Sequence, residues 1–171
     1  MEEQTYGYKD FKLEGILGCG QTGRTFRARF HGESIAMKAI DLYKEADLLH
    51  KIRKEIEIYK NLVKIQGIYI PKLVCHGYYG YGMGYFMGTT IVGTTLNKHK
   101  VNCNQKYRAL EALKSIHSYN ILHNDIRQEN ILINEKGEIY IIDFGMSVVT
   151  DDRKLFYEEE CELSSLLDRY M

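Results

Sequence analysis

The run Leu122-His123-Asn124-Asp125-Ile126-Arg127-Gln128-Glu129-Asn130, followed by Ile142-Asp143-Phe144-Gly145, decides the reading of this chain. It has the form H-x-D-h-x-x-x-N, with a D-F-G triplet whose Asp lies thirteen residues past Asn130. Any one of these polar residues is more often a turn or cap residue. All of them in this order, bounded by the apolar runs 131–133 and 139–142, point to chemistry. A carboxylate at Asp125 can orient a hydroxyl and accept its proton. Asn130 and Asp143 offer hard oxygens to a divalent cation. Arg127 places a cation where charge develops. These are the parts that phosphoryl transfer requires.

Upstream, Gly18-Cys19-Gly20-Gln21-Thr22-Gly23 lets backbone N–H groups approach phosphates without a Cβ in the way. By itself the pattern of Gly18, Gly20 and Gly23 is weak, and a plain glycine-rich hairpin explains it equally well. A dinucleotide fingerprint would open a helix here, yet Gly23 leads into the strand-like Arg24–Phe30. The run also lacks the Gly-Lys-Ser/Thr ending of a P-loop. Cys19, at its tip, is read as a small residue that fits rather than as a redox-sensitive thiol.

Lys38 ends the apolar stretch Ile35-Ala36-Met37, fifteen residues past Gly23. Such a Lys either snorkels to water or finds a counter-charge. The following helical pattern, Tyr43 to Lys64, offers one. At 100° per residue with Glu55 at 0°, Leu48 falls at about +20°, Tyr59 at about +40°, Ile52 at about +60° and Leu62 at about −20°. Glu55 thus sits inside the apolar arc, where an unmatched carboxylate is costly. Lys38 is its natural partner, with Arg53, Lys51 or Lys54 as solvent-boundary alternatives. Glu57 faces water.

The remaining pattern is a meander and a helical half. Strands are expected over Leu13–Cys19, Arg24–Phe30, Glu33–Ile40, Leu73–Tyr79 and Tyr85–Val92. A second helix is expected over Asn104–Tyr119, with Asn102 and Gln105 as a capping box. A hairpin turns about Glu135-Lys136-Gly137. A last helix runs from Leu155 to about Tyr170, capped by Asp151 or Asp152, with Phe156, Leu163, Leu167 and Tyr170 inward. Its acidic stretch Glu158-Glu159-Glu160-Cys161-Glu162 reads as a solvated face, with sealing of the lobe's foot or partner docking as the other reading.

The whole chain has 171 residues, 23 Lys plus Arg and 23 Asp plus Glu. Formal neutrality gives no general electrostatic grip on nucleic acid or an acidic membrane. Neither partner is expected. Cys19, Cys75, Cys103 and Cys161 stand at least 28 residues apart, which excludes a C-x-x-C zinc or redox pair. The acidic, polar start does not fit a secretory signal, and no apolar run approaches a membrane span. A soluble, reduced, intracellular protein is expected, in cytoplasm or nucleus.

The quoted residues resemble the protein-kinase superfamily, with the match running from Gly18 to Gly145. The resemblance implies a bilobal α+β fold in a single domain: an antiparallel five-stranded N-lobe with one helix (about 1–92) and a reduced helical C-lobe (about 93–171). A ligand crevice between the lobes is expected. It implies ATP with Mg²⁺, or Mn²⁺, as cofactors. It gives Asp125, Lys38 and Arg127 catalytic roles and Asn130 and Asp143 the metal. Gly18, Gly20, Gly23, Ala36, Lys38 and Glu55 serve the nucleotide. A hinge over Thr89-Thr90-Ile91 would meet adenine through its backbone, with Gly88 near the gatekeeper position. Runs such as Tyr69–Leu73, Leu122–Arg127 and Ile142–Met146 are similar to short, curtailed fungal kinase-like domains, including those of Crinkler-type effectors. Such an effector would act inside a host cell. The compact layout is also similar to the Bud32 and RIO atypical kinases.

Only 26 residues follow Gly145, too few for a long activation segment or the usual helical substrate platform, and there is no Ala-Pro-Glu. Asn124 stands where the family carries the Arg that receives activation-loop phosphate, so no such control is expected. Arg127 stands in place of a Lys. The reading favoured here is transfer to protein Ser or Thr, including autophosphorylation, on a protein substrate the sequence does not name. A small-molecule kinase of the aminoglycoside or choline type shares the His123–Asn130 pattern but needs a larger substrate lobe. A nucleotide-binding or ATPase scaffold without transfer is the third reading, although Lys38, Asp125 and Asp143 are all present.

Overall fold

The three strands flanking the glycine run form because β-branched and aromatic residues alternate with polar ones between tight turns. In a computed structural model, residues 4–20 and 23–171 are described, without the side chains of residues 19, 20 and 23. The tip, Gln21 and Thr22, lies outside the described residues, as does the Cys19 thiol. The chain divides into two compact units, Met1–Lys60 with Lys72–Ile91, and Asn61–Pro71 with Val92–Met171.

The first unit is a six-stranded sheet and one helix. Strands β1 (Thr5–Tyr6), β2 (Phe11–Gly20), β3 (Gly23–Phe30), β4 (Glu33–Asp41), β5 (Leu73–Tyr79) and β6 (Gly84–Thr90) lie in the order β1-β5-β6-β4-β3-β2. The five expected strands pair antiparallel. The two-residue β1 is an addition, and it pairs parallel with β5. Its shortness leaves no alternation to read. Helix α1 covers Leu49–Asn61, shorter than the expected 43–64. The Asp41 carbonyl takes the N–H groups of Lys44 and Glu45, and its carboxylate takes that of Tyr43, so a turn precedes the helix.

Alternation along β4 sorts the sheet into two faces. Ile35, Met37 and Ala39 point to a core with Ala28, Cys75 and Phe86. Tyr6, Phe11 and Phe30 close it, with Phe11 stacked on Phe30 at 5.1 Å and edge-on to Phe86 at 4.8 Å. Burial pushes the Cys75 thiol up to about 12, so it stays a neutral packing group. Gly88 pairs with Met37 and lies on this same face. A Cβ there would meet Ile35 Cδ1 at 2.7 Å and Cys75 Sγ at 2.9 Å. Gly88 therefore faces away from Lys38. That corrects its expected gatekeeper place, because Met87 and Thr89 are the β6 residues paired with Lys38 and Ala36.

The second unit holds α2 (Cys103–His117), α3 (Arg153–Asp168) and five short strands: β7 (Thr94–Thr95), β8 (Ile121–Leu122), β9 (Ile131–Ile133), β10 (Ile139–Ile141) and β11 (Val148–Val149). They form two small sheets, β10-β9-β7 and β11-β8. The Asn102–Gln105 capping box starts α2 with reciprocal bonds of 2.9 and 3.0 Å. Asp152, one of the two expected caps, starts α3 by accepting from Lys154 N and Leu155 N. Ala109, Ala112, Leu113 and Ile116 of α2 and Phe156, Leu163 and Leu167 of α3 are buried, as are Ile131, Ile139 and Ile141 of the small sheet β10-β9-β7. Among the described residues no helix is long and apolar enough to cross a membrane.

Gly93 marks a backbone crossing in this unit. A Cβ on it would sit 2.5 Å from the Ile133 carbonyl oxygen and 2.9 Å from Asn134 N, neither of which can swing aside. Gly93→Ala is expected to lower the urea-unfolding free energy by about 1–3 kcal/mol, the usual cost of overpacking. Gly15→Ala, with open space around its new methyl, should stay within about 0.5 kcal/mol of the parent.

Candidate active site

The expected site residues divide between the two units. In the first, β4 carries Ala36 and Lys38 on one face, and their β6 partners Thr89 and Met87 share it. Lys38 Nζ lies 2.7 Å from Glu55 Oε2 on α1, with the Lys side chain 11% and the Glu 3% exposed. The helical-wheel expectation for Glu55 thus meets its counter-charge, while Glu57 lies exposed beside Lys60. Arg53 braces α1 again, with a 2.8 Å bond to the Tyr78 hydroxyl and its guanidinium over the Tyr85 ring. Gly20 and Gly23 are Cα partners at the β2–β3 hairpin end, and Gly18 pairs with Thr25. Space around Gly18 is open. Ile91 follows β6 directly.

In the second unit, Ile142 fastens the two halves of the decisive motif. Its N–H donates to the Asn130 carbonyl at 3.0 Å, and its carbonyl accepts from His123 Nε2 at 2.9 Å. Asp143 is thereby placed beside the loop that carries Asp125. The His123 ring is fully buried and edge-on to Phe144. Burial pulls its pKa below the usual His value, only partly opposed by the Ile142 carbonyl, so the ring is neutral with its proton on Nε2. Ser147 closes the contact by donating to the His123 carbonyl at 3.0 Å.

Asn130 Nδ2 donates to both the Asp125 carbonyl and Asp125 Oδ2, each at 2.9 Å. That spends the amide's donors on the loop and leaves Oδ1 as the acceptor for a cation. Arg127 Nε lies 3.2 Å from the same Asp125 Oδ2 as an ion pair, without hydrogen-bond geometry. The structure therefore brings Asp125, Arg127, Asn130 and Asp143 together. Asn124 and Asp143 both sit at left-handed φ, 62° and 66°. Asn and Asp tolerate that region far better than longer side chains. Asn124 also donates through Nδ2 to the Met146 carbonyl, at 3.3 Å.

Glu159 corrects the expectation that the whole acidic stretch of α3 faces water. It is 5% exposed. One oxygen takes the Asn124 N–H at 2.5 Å, and the other takes the His123 N–H at 3.1 Å and His117 Nε2 at 2.7 Å. A single carboxylate thus holds two consecutive amides of the His123–Asn130 loop and the last residue of α2. The signal was available: Glu159 lies about 60° from Phe156 and about 40° from Leu163, on the apolar arc. Glu158 and Glu162 remain exposed, as expected.

The comparisons follow this geometry. The model of the protein kinase domain matches residues 11–164. The chain belongs to the protein kinase family. The kinase is 28% identical over 154 residues to CBL-interacting serine/threonine-protein kinase 20 of Arabidopsis thaliana, covering 85% of this chain and 35% of the relative. It is 29% identical over 151 residues to an Aurora kinase of Eremothecium gossypii, covering 82% and 41%. The same identity and length relate it to mitogen-activated protein kinase kinase 9 of Arabidopsis thaliana, covering 82% and 47%. The chain thus spans between a third and a half of the length of these relatives.

Burial alone would raise the Glu159 pKa, but the bonds from His117, Asn124 and His123 outweigh it and hold the carboxyl below the usual Glu range. A depressed folded-state pKa stabilises above the unfolded value, about 4.3 for Glu, and that stability is lost as pH falls through the folded value. Glu159→Gln presents an NH₂ group to donors. It is expected to cost about 1.5–3 kcal/mol at pH 7, the range for hydrogen bonds to charged groups. Urea titrations should also show a shallower loss of stability below about pH 4.3 in the variant.

Proposed function

We propose that this kinase transfers the terminal phosphoryl group of ATP to Ser or Thr hydroxyls of proteins, itself included, with Mg²⁺ or Mn²⁺. The observation that carries the reading is the joint placement of Asp125, Asn130 and Asp143 by Ile142 and Glu159. In this reading Asp125 accepts the hydroxyl proton as the new O–P bond forms and the bond to ADP breaks. Asn130 keeps the Asp125 carboxylate turned toward the acceptor. Arg127 and Lys38 offset charge on the transferring phosphates, and Glu55 holds the Lys38 ammonium in place. Backbone groups near Thr89 and Ile91 meet the base, beside Ala36, and Gly18, Gly20 and Gly23 leave N–H groups open to the phosphates.

The donor set fits a small divalent cation. Among the described residues no three or more His, Cys, Asp or Glu side chains cluster as a metal cage. One carboxylate and one amide oxygen, from Asp143 and Asn130, are the partial set that Mg²⁺ takes when phosphates and water complete its shell. Bound there, it would neutralise phosphate charge. The likeness of Tyr69–Leu73 and Leu122–Arg127 to Crinkler-type and other curtailed kinases supports action inside a cell, in cytoplasm or nucleus.

The test is mass spectrometry after incubation of the purified chain with ATP and Mg²⁺, beside Asp125→Asn. The parent is expected to gain phosphate on Ser or Thr. The variant should be slowed by about 10²–10⁴-fold, the usual worth of a positioned general base. A parent that stays unmodified, and that also phosphorylates no generic protein substrate with either metal, would contradict the reading.

A further inference from the structure

A cavity of about 270 Å³ opens at the C-terminal end of α2, outside the site above, lined by Lys114, His117, Ser118, Arg153, Phe156, Tyr157 and Glu160. Its size lies just below the roughly 300–1,000 Å³ of ordinary small-molecule sites. It suits a single side chain or a small ester rather than a large cofactor.

The chemistry of the walls is uneven. The His117 side chain is 6% exposed, with Nε2 committed to Glu159. Its Nδ1 is buried without a hydrogen bond and faces Glu160 Oε1 at 3.5 Å, too long to count as one. Buried polar atoms without partners are rare and call for an explanation. Lys114 Nζ stands 3.6 Å from the other Glu160 oxygen, with its side chain 62% exposed. Arg153 is exposed, and among the described residues no carboxylate pairs with it. Its planar fork is the group best matched to phosphate oxygens. Phe156 stacks on the His117 ring at 4.5 Å and gives the cavity an apolar side.

We propose that this cavity binds a phosphate monoester, a phosphorylated side chain or a small phosphate ester, with Arg153 and Lys114 on the phosphate. The ester takes Lys114 from Glu160, so Glu160 competes with the ligand. The ligand's polar body reaches the imidazole edge at Nδ1, and Phe156 and Tyr157 flank its carbon atoms. The imidazole touched by the ligand is the one whose other nitrogen holds Glu159.

Calorimetric titration of the whole chain in a phosphate-free buffer tests this, with phosphoserine, phenyl phosphate and inorganic phosphate as probes and serine as control. At least one monoester is expected to bind, and serine is not. The double variant Lys114→Ala/Arg153→Ala, which alters only exposed side chains, should weaken binding at least about tenfold, as loss of charge-assisted bonds does. Glu160→Gln should tighten it. Tighter binding of phosphoserine or phenyl phosphate than of inorganic phosphate marks a phosphorylated side chain or ester as the source. Equal binding of all three would overturn the monoester, because its carbon atoms would then gain nothing from Phe156 and Tyr157. Binding that survives the double variant, or no binding of any probe, would overturn the proposal. None of these readouts needs phosphoryl transfer, so the site stands or falls apart from the activity.

Discussion

A carboxylate taken out of water must be given donors in return, and in this chain that demand is met by the loop that carries Asp125. Glu159 is buried with the His123 and Asn124 amides and the His117 ring around it. Ion burial costs several kcal/mol unless such bonds are made. The bonds therefore fix α3, the end of α2 and the loop in one arrangement. Asp125, one residue beyond the held amides, inherits its place from them. Ile142 then sets Asp143 against the same loop through its own two bonds. Local strain at Asn124 and Asp143 is retained because these contacts over-determine it.

The first unit repeats the device with the charges arranged differently. Glu55 also sits on the apolar arc of a helix, where Lys38 reaches it from the sheet at 2.7 Å. In both places a helix carries a carboxylate inward to groups on another element, the Lys38 ammonium in one and the His123 and Asn124 amides in the other. Removing either acid would disturb placement before it disturbed chemistry. The two helices thus act as supports, while Lys38 lies on a strand and Asp125 on a loop.

The same two carboxylates show how much of the site was legible in the sequence. The wheel that found Glu55 would have found Glu159, but four neighbouring glutamates within five residues made the stretch look uniformly solvated. Charge density hid a position that periodicity marked. The decisive loop was readable because order and spacing carry its chemistry. The five strands were readable because their alternation is long enough to count. Strand β1 has only two residues, too few for an alternation to announce it, although Tyr6 packs against Phe11, Phe30 and Phe86. The start of α1 was misplaced because Asp41 caps a turn through its own carboxylate, a local bond that propensity does not reveal. The resemblance puts Gly88 near the gatekeeper position, yet register sends it to the opposite face, where Ile35 and Cys75 fill its space. One residue of slip decides such a question.

Native-state hydrogen exchange at the His123 and Asn124 amides tests the central constraint most directly. Glu159 should hold both amides closed, so they exchange as slowly as core amides of α2 such as Leu113. In Glu159→Gln both should exchange at least about tenfold faster, while Leu113 shifts only by the global change in stability. Equal protection of the two loop amides in parent and variant would show that something other than this carboxylate holds the loop.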